Sequence, residues 1–308
     1  MRKPLFCLLI VCLTCTSVMA VETISIAYFN CLRFGAGGCL CKDIELLANI
    51  LERFDVIALG EVKRNTGVDA CGYGDDPLGH VDALVGALNA HYPNWCNPHW
   101  DYVVSSEPIG RTPQSEEYGV VIHRDWVTGL RDEVEVAPDP EGAFIRPPFV
   151  VPLRANSFDF TLVIVHAIGP ESADDLETSI RQLDTVYEWI RFGNSGDDDV
   201  ILLGDFNVSA SREGWFDELR AVDGMECLIS GNGTLGQTGL ANPYDRIWIN
   251  TLYTGYEHDM FCGSGVYRYW SPMFPGMPYE EFLATYRHTI SDHLPVWAEF
   301  RIDLPDDD

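Results

Sequence analysis

Residues 200–210 read VILLGDFNVSA. Four apolar residues run into Gly204, and Asp205, Phe206 and Asn207 follow at once. A short, unbroken apolar run of this kind suits a strand covered on both faces, as in the interior of a layered α/β protein. Such a strand ends here on a carboxylate and an amide two residues apart. Residues i and i+2 of a strand point to one face, so the spacing predicts that Asp205 and Asn207 reach the same place.

Other stretches repeat the pattern. Residues 24–29, ISIAYF, are strand formers that stop at Asn30. Residues 42–54 place Ile44, Leu47, Ala48 and Leu51 on one helical face. DVIALGE then reads as a buried strand ending at Glu61. Further strands are predicted at WDYVVSS, YGVVIHR, FVVPLRA, FTLVIVHA, YDRIWIN, VYRYW and LPVWAEFRI. Helices are predicted near 81–92, 215–222 and 279–287, with one long helix over 174–192. Helices alternate with strands in both halves, yet hairpin-like strand runs also occur. That combination predicts two stacked mixed sheets covered by helices, in one α/β domain.

Polar residues gather where these strands stop: Asn30, Glu61, His166, Asp205, Asn207, Asp245, Asp292 and His293. Singly, each is an ordinary turn residue, ion-pair partner or hydrogen-bonded histidine. Converged on one rim, so many carboxylates would repel one another unless a cation sat among them. Glu61, Asp205, Asn207, Asn30 and Asp292 offer hard oxygen donors, which suit Mg2+, Mn2+ or Ca2+ better than zinc or copper. The histidines add proton transfer near neutral pH.

The first twenty residues stand apart. Arg2 and Lys3 precede an apolar run that ends in Val18-Met19-Ala20, the plan of an export leader. The run is short for a membrane span. Cleavage after Ala20 is expected, with a secreted or periplasmic product. Three of the ten cysteines fall in that leader. Among the other seven, disulfides Cys71–Cys96 and Cys227–Cys262 are expected, and Cys39 and Cys41 fit a disulfide role better than half a zinc site. The formal charge is −27, and losing Arg2 and Lys3 takes it to −29. A charge of that sign does not attract a polyanion, so any nucleic-acid binding must come from a local basic strip or bound cations.

Taken in order, YFNCLRFG, FDVIALGEVK, WDYVVSSEPIGR, IVHAIGP, LLGDFN, YDRIWI and SDHLPV resemble the endonuclease/exonuclease/phosphatase superfamily, and within it the deoxyribonuclease I branch. The likeness runs from about residue 24 to 302. It implies a four-layered α/β sandwich, two packed mixed β-sheets flanked by helices. The catalytic domain would span 21–303, with an acidic tail at 304–308.

The resemblance also implies divalent-metal-dependent cleavage of phosphodiester bonds, with Mg2+ expected and Mn2+ or Ca2+ as alternatives. It matches Glu61 to a metal ligand, with Asn30 and Asp292 nearby. Asp205 and Asn207 match the pair that holds the attacking water and the scissile phosphate. His166 and His293 match the catalytic histidines, supported by Glu116 and Asp245 respectively. Arg146 aligns with a phosphate-contacting arginine, Lys63 with a groove-reading arginine, and Arg111 with a further family arginine that an ion pair to Glu107 would otherwise explain.

The chain departs from the family at Gln114, where a groove-packing tyrosine is usual, and at Leu32, where an arginine is usual and Arg33 stands one step along. These departures leave the chemistry intact and weaken the expected grip on duplex DNA; DNA is still the expected substrate, of a monomer with no stable membrane association. The alternatives are a phospholipid-headgroup or RNA phosphodiesterase of the same fold, or an inactive binding protein. The aromatic run 267–279, YRYWSPMFPGMPY, is where a lipid-facing loop would lie.

Overall fold

The computed structural model describes residues 22–36, 41–64, 71–73, 76, 78–92, 98–129, 133–168, 173–194, 197–255 and 262–304. The expected leader, Cys39, Cys96 and the end of the acidic tail lie outside these residues. In chain order the first half contains β1 (Thr23–Phe34), α1 (Ile44–Leu51), β2 (Val56–Val62), α2 (Gly79–Ala90), β3 (Trp100–Val104), β4 (Glu117–His123), β5 (Thr128–Gly129), β6 (Glu135–Val136) and β7 (Phe149–Ala155). The second contains β8 (Phe158–His166), α3 (Ala173–Arg181), α4 (Leu183–Trp189), β9 (Val200–Asp205), α5 (Asp217–Ala221), β10 (Met225–Cys227), β11 (Asp245–Asn250), β12 (Gly263–Val266), α6 (Trp270–Met273), α7 (Tyr279–Tyr286) and β13 (Val296–Arg301).

The strands form two mixed sheets, ordered β12-β13-β1-β2-β4-β3 and β10-β11-β9-β8-β7-β5, with β6 also paired to β7. Strand alternation explains the layering. Ile24, Ile26 and Tyr28 of β1 face the space between the sheets, where they meet Phe160, Leu162 and Ile164 of β8. Their neighbours Ala27, Phe29 and Cys31 face α1 and α2 on the outside. In β9, Ile201 and Leu203 point between the sheets while Val200 and Leu202 pack under α3 and α4. Burying one such aliphatic side chain is worth about 1.5–3 kcal/mol, which is why these strands read as unbroken apolar runs. The result is the four-layered sandwich that the resemblance implies.

Several expectations are corrected. β1 does not stop at Asn30; it runs on to Phe34 through an irregularity between Asn30 and Phe34. The long helix over 174–192 is two helices broken at Gln182, followed by a wider turn over Ile190–Asn194. The VYRYW strand is displaced toward the N-terminus as β12, and Trp270 already begins α6. Cys71 pairs with Cys41, so it does not pair with Cys96. Cys227 and Cys262 are both free thiols. Spacing carries no information on pairing because the sheet order, not chain distance, decides which loops meet. Among the described residues no helix is long and apolar enough to cross a membrane. In the aromatic run only Tyr269 is buried; Trp270 and Phe274 are half-buried against Phe282 of α7, while Arg268, Ser271, Pro272, Pro275, Gly276 and Pro278 are exposed.

One buried group sets an acid limit. His80, on α2, has no exposed surface, stacks edge-on against Phe34 at 4.7 Å, and neither ring nitrogen has a hydrogen-bond partner. Burial pushes its pKa down to about 4, against a little help from Asp82 and Asp76. A depressed folded pKa means the unfolded chain binds the proton more readily. The contribution to stability is therefore intact above the unfolded value near 6.5 and is lost as pH falls through about 4. The full loss is on the order of 3 kcal/mol. Urea melts between pH 7 and 4 are expected to show this slope, and His80→Leu to flatten it. An unchanged slope in the variant would contradict the assignment.

Candidate active site

The two sheets each have one central parallel pair, β1 with β2 and β8 with β9. The carboxyl ends of these four strands lie at one rim. The antiparallel partners β4 and β11 bring their beginnings to the same rim, because Val62 pairs with Glu117 and Asp205 with Asp245. Register alone aligns the residues: His166 pairs with Asp205 across β8–β9, and Asp205 with Asp245 across β9–β11. An open cleft of about 630 Å³ sits there, lined by Glu61, Glu116, His166, Asp205, Asn207, Asp292 and His293, among others.

Asp205 Oδ2 is the centre of the arrangement. It lies 3.8 Å from His166 Nε2 and 3.7 Å from His293 Nε2. The far nitrogen of each imidazole is held by its own buried carboxylate. Glu116 Oε2 is 2.6 Å from His166 Nδ1, and Asp245 Oδ2 is 2.9 Å from His293 Nδ1. Such a partner fixes the ring's orientation and tautomer.

The charges respond accordingly. Burial would lower the His166 pKa, but the Glu116 charge and hydrogen bond outweigh it and raise it. Burial would raise Glu116, but His166, Arg146 and Lys63 outweigh it and hold the carboxyl at about 2. His293 is likewise raised, because Asp245 and then Asp205 and Asp292 overcome its burial. Asp245 is itself raised by burial, against the pull of His293. Both imidazoles are thus able to carry a proton in an interior that would otherwise reject the charge.

Opposite the histidines, the Asn30 amide nitrogen donates to Glu61 Oε1 at 3.2 Å and to Asp205 Oδ2 at 3.1 Å. Its carbonyl oxygen is occupied by the Leu32 N–H at 3.0 Å. Asn30 therefore bridges two carboxylates as a donor. The second oxygen of Glu61 accepts the Arg33 N–H at 3.0 Å. Ser291, unmarked in the sequence reading, ties the last loop to β1: its hydroxyl donates to the Asn30 carbonyl at 2.6 Å and accepts the His293 N–H at 3.0 Å.

Four residues at this rim, Leu32, Arg33, Glu61 and Asn207, have φ between 45° and 56° without being glycine. Such backbone costs on the order of 1–3 kcal/mol each and persists where the surroundings over-determine it. This corrects the reason for the Asp205–Asn207 pairing. β9 ends at Asp205, and Asn207 is not extended. The two side chains converge because the chain turns sharply, with the Asn207 N–H on Asp205 Oδ1 at 2.9 Å and its amide on the Ala167 carbonyl at 3.0 Å.

The basic residues divide. Arg146 lines the cleft, but its guanidinium is held by Glu116 Oε1 at 2.7 Å and by the Gln114 carbonyl at 2.6 Å. Lys63 also lines it and contacts the Ser115 carbonyl at 3.1 Å and Glu116 at 3.5 Å. Arg111 is not brought there; it is exposed and donates to the Gly142 carbonyl at 2.7 Å. Its suggested partner Glu107 lies instead beside Arg64, at 4.0 Å. Arg33 is exposed at the cleft, and Arg287 lines it while contacting Asp292 at 3.2 Å. Thr234, Asn242 and Arg287 complete the wall with no signal in the sequence beyond being polar loop residues, together with Tyr244, the first residue of YDRIWI.

Glu61, Asp205 and Asp292 present carboxylate oxygens to one open cleft, with hydrogen-bonded amides between them. That donor set fits a hard divalent cation. Asp205, Asp245 and His293 also have donor atoms within 4.8 Å of one another, at this same rim.

The sequence model of the Endonuclease/Exonuclease/phosphatase family matches residues 27–293. Among curated proteins, the chain is 28% identical to human deoxyribonuclease-1-like 2 over 285 residues, covering 82% of this chain and 83% of that one. It is 25% identical to a deoxyribonuclease of Thioalkalivibrio sp. (strain K90mix), covering 97% and 76%. It is 29% identical to deoxyribonuclease-1 of Canis lupus familiaris, covering 72% and 75%. Among solved structures, humanized D. rerio TDP2 aligns at 14% identity with a TM-score of 0.58, covering 90% of this chain and 98% of that one. An endonuclease/exonuclease/phosphatase family protein from Bacteroides thetaiotaomicron aligns at 15% identity with a TM-score of 0.57, covering 92% and 99%. At these identities the structural likeness concerns the fold alone.

Proposed function

The chain belongs to the Endonuclease/Exonuclease/phosphatase family, on its deoxyribonuclease I-like branch, and from that premise we propose that it is a secreted, monomeric, magnesium-dependent endonuclease that hydrolyses DNA. The observation that carries the proposal is Asp205 Oδ2 set between two imidazoles at 3.8 and 3.7 Å, each backed by a buried carboxylate. Two proton carriers on either side of one anion are what in-line hydrolysis of a phosphodiester requires.

Glu61 and Asp292 would hold the cation, with Asn30 orienting Glu61 and Asp205. When bound, the cation supplies Lewis-acid stabilisation of the charge that builds on the phosphate oxygens. Asp205 positions a water against phosphorus. As the new oxygen–phosphorus bond forms, one histidine takes the water's proton. The other gives its proton to the leaving oxygen as the old bond breaks. Glu116 and Asp245 stabilise whichever imidazolium is present at each stage. The Asn207 amide donates to the non-bridging oxygens as their charge increases.

Substrate grip falls to the cleft-lining Arg33, Lys63 and Arg146, of which Lys63 and Arg146 also contact Glu116; Arg111 stands elsewhere. The leader-like residues 1–20 and the Cys41–Cys71 disulfide support export. The aromatic side chains of 267–279 turn toward Phe282 of α7 and leave mainly Arg268, Ser271 and prolines exposed, which favours DNA over a lipid surface.

The test uses plasmid DNA, RNA and sphingomyelin, each with magnesium or with chelator. Nicking of plasmid that chelator abolishes and magnesium restores is the expected result. Sphingomyelin or RNA turnover without nicking would reassign the substrate, and no turnover of any of the three would mean a non-catalytic member of the fold.

A further inference from the structure

The far end of the first sheet carries a second cluster of chemistry-bearing side chains that hydrolysis does not use. His99 stands one residue before β3, His123 ends β4, and Asp125 follows in the turn after β4. Pairing of Trp100 with His123 closes this end of the β3–β4 hairpin. We propose that His99, His123 and Asp125 form a second metal centre, which takes a divalent transition ion, zinc foremost, and staples the hairpin's open end.

The three residues each place one donor atom within 4.8 Å of the others. Asp125 Oδ2 lies 2.6 Å from His99 Nδ1. His123 is only 6% exposed, and among the described residues its Nδ1 makes no hydrogen bond to another residue. Buried ring nitrogens are ordinarily satisfied, so an open one beside a second imidazole and a carboxylate is an unused ligand position. The other nitrogen of the ring, Nε2, meets the Tyr92 hydroxyl at 3.1 Å. If Nε2 carries the proton, Nδ1 is left with the lone pair that a metal needs.

Tyr92 holds both rings, since its own ring also stacks on His99 at 4.5 Å between centroids. Outer partners of this kind orient ligating imidazoles. Asp125 is half-exposed, so the position is open to solvent.

The donor set decides the ion. Two imidazoles and one carboxylate favour borderline ions over magnesium or calcium, the reverse of the all-oxygen set in the cleft. Zinc holds such ligands at about 2.0–2.2 Å, so the donors must come to within about 3.5 Å of one another. Asp125 is half-exposed in the turn after β4, so its side chain can reorient without displacing the core. The centre is remote from the cleft. β4 begins at Glu117, beside the cleft residue Glu116, and reaches His123 six residues later, a distance of about 20 Å along a strand. Its role is therefore structural: β3 is an edge strand, and a metal would close the end of the hairpin that holds it.

The experiment strips the full chain with chelator and titrates it with Zn2+ while following the ring resonances of its eight histidines by NMR. One zinc equivalent bound with micromolar or tighter Kd is expected, shifting the His99 and His123 resonances and raising the Tm. His99→Gln and Asp125→Asn should each weaken binding at least tenfold and leave magnesium-dependent nicking within twofold of wild type. Zinc that shifts only His166 and His293, affinity unchanged in both variants, or no binding below millimolar zinc would each overturn the proposal. If a variant fails to fold, the wild-type resonances decide alone. Because binding is read directly, the outcome is independent of which substrate the cleft cleaves.

Discussion

Replacing His166 or His293 by alanine is expected to lower the cleavage rate by about 10²–10⁴-fold each, the usual weight of a positioned general acid or base. On the proposed mechanism the two imidazoles serve one phosphorus, so the double variant should fall well short of the product of the singles. Removing the supporting carboxylates separates orientation from proton transfer. Asp245→Asn and Glu116→Gln keep the shape but lose the charge that raises each histidine's pKa. They should therefore cost less than the histidines themselves. Single-turnover cleavage of plasmid under saturating magnesium measures the rate, and far-UV circular dichroism confirms that each variant folds. Wild-type rates in His166→Ala or His293→Ala would remove the proton-transfer roles altogether.

The second large effect is on stability, at Gly204. This residue lies inside β9, immediately before Asp205, at φ +154°. A Cβ there would stand 1.8 Å from the Val165 carbonyl oxygen and 2.7 Å from its carbon. Both atoms are backbone in the neighbouring parallel strand and have no rotamer by which to move aside. Gly204→Ala must therefore push β9 off β8 at the pair that sets the His166–Asp205 register. Overpacking and backbone strain each cost about 1–3 kcal/mol, so a loss of roughly 4 kcal/mol is expected, a large share of a typical domain's stability. Gly231 is the control. It also has positive φ, at +121°, but nothing lies within 4 Å of its Cβ position. Gly231→Ala should lose only the strain component, about 1 kcal/mol. Urea unfolding of both variants makes the comparison, and equal losses would show that the contact with Val165 is not the cause.

Much of the fold was legible in linear form, for a physical reason. A strand covered on both faces must be apolar at every position, and a helix lying on a sheet must be apolar along one stripe. ISIAYF, VILLGD and the α1 stripe are therefore recognisable without neighbours. Long-range geometry was not legible in the same way. The break at Gln182 and the extension of β1 past Asn30 depend on what each segment packs against, and local propensity is silent on that. The Cys41–Cys71 pairing depends on which loops the sheet order brings together.

The site divides along the same line. The sequence by itself determined the chemical inventory: two histidines, the carboxylates Glu61, Glu116, Asp205, Asp245 and Asp292, and hard oxygens at strand ends, in an order that marks the family. It also suggested a shared destination for Asp205 and Asn207, although for a reason that did not hold. Only the tertiary structure decided how the inventory is wired. The β8–β9–β11 register places Asp205 between His166 and Asp245, and Asn30 bridges Glu61 and Asp205 as a donor. Arg146, the better phosphate contact by alignment, is braced by Glu116 and the Gln114 carbonyl, while Arg33 is exposed at the cleft. The physical reason is that residue identity fixes which charges and donors exist, whereas pairing among them is set by distances of a few ångströms between strands far apart in the chain.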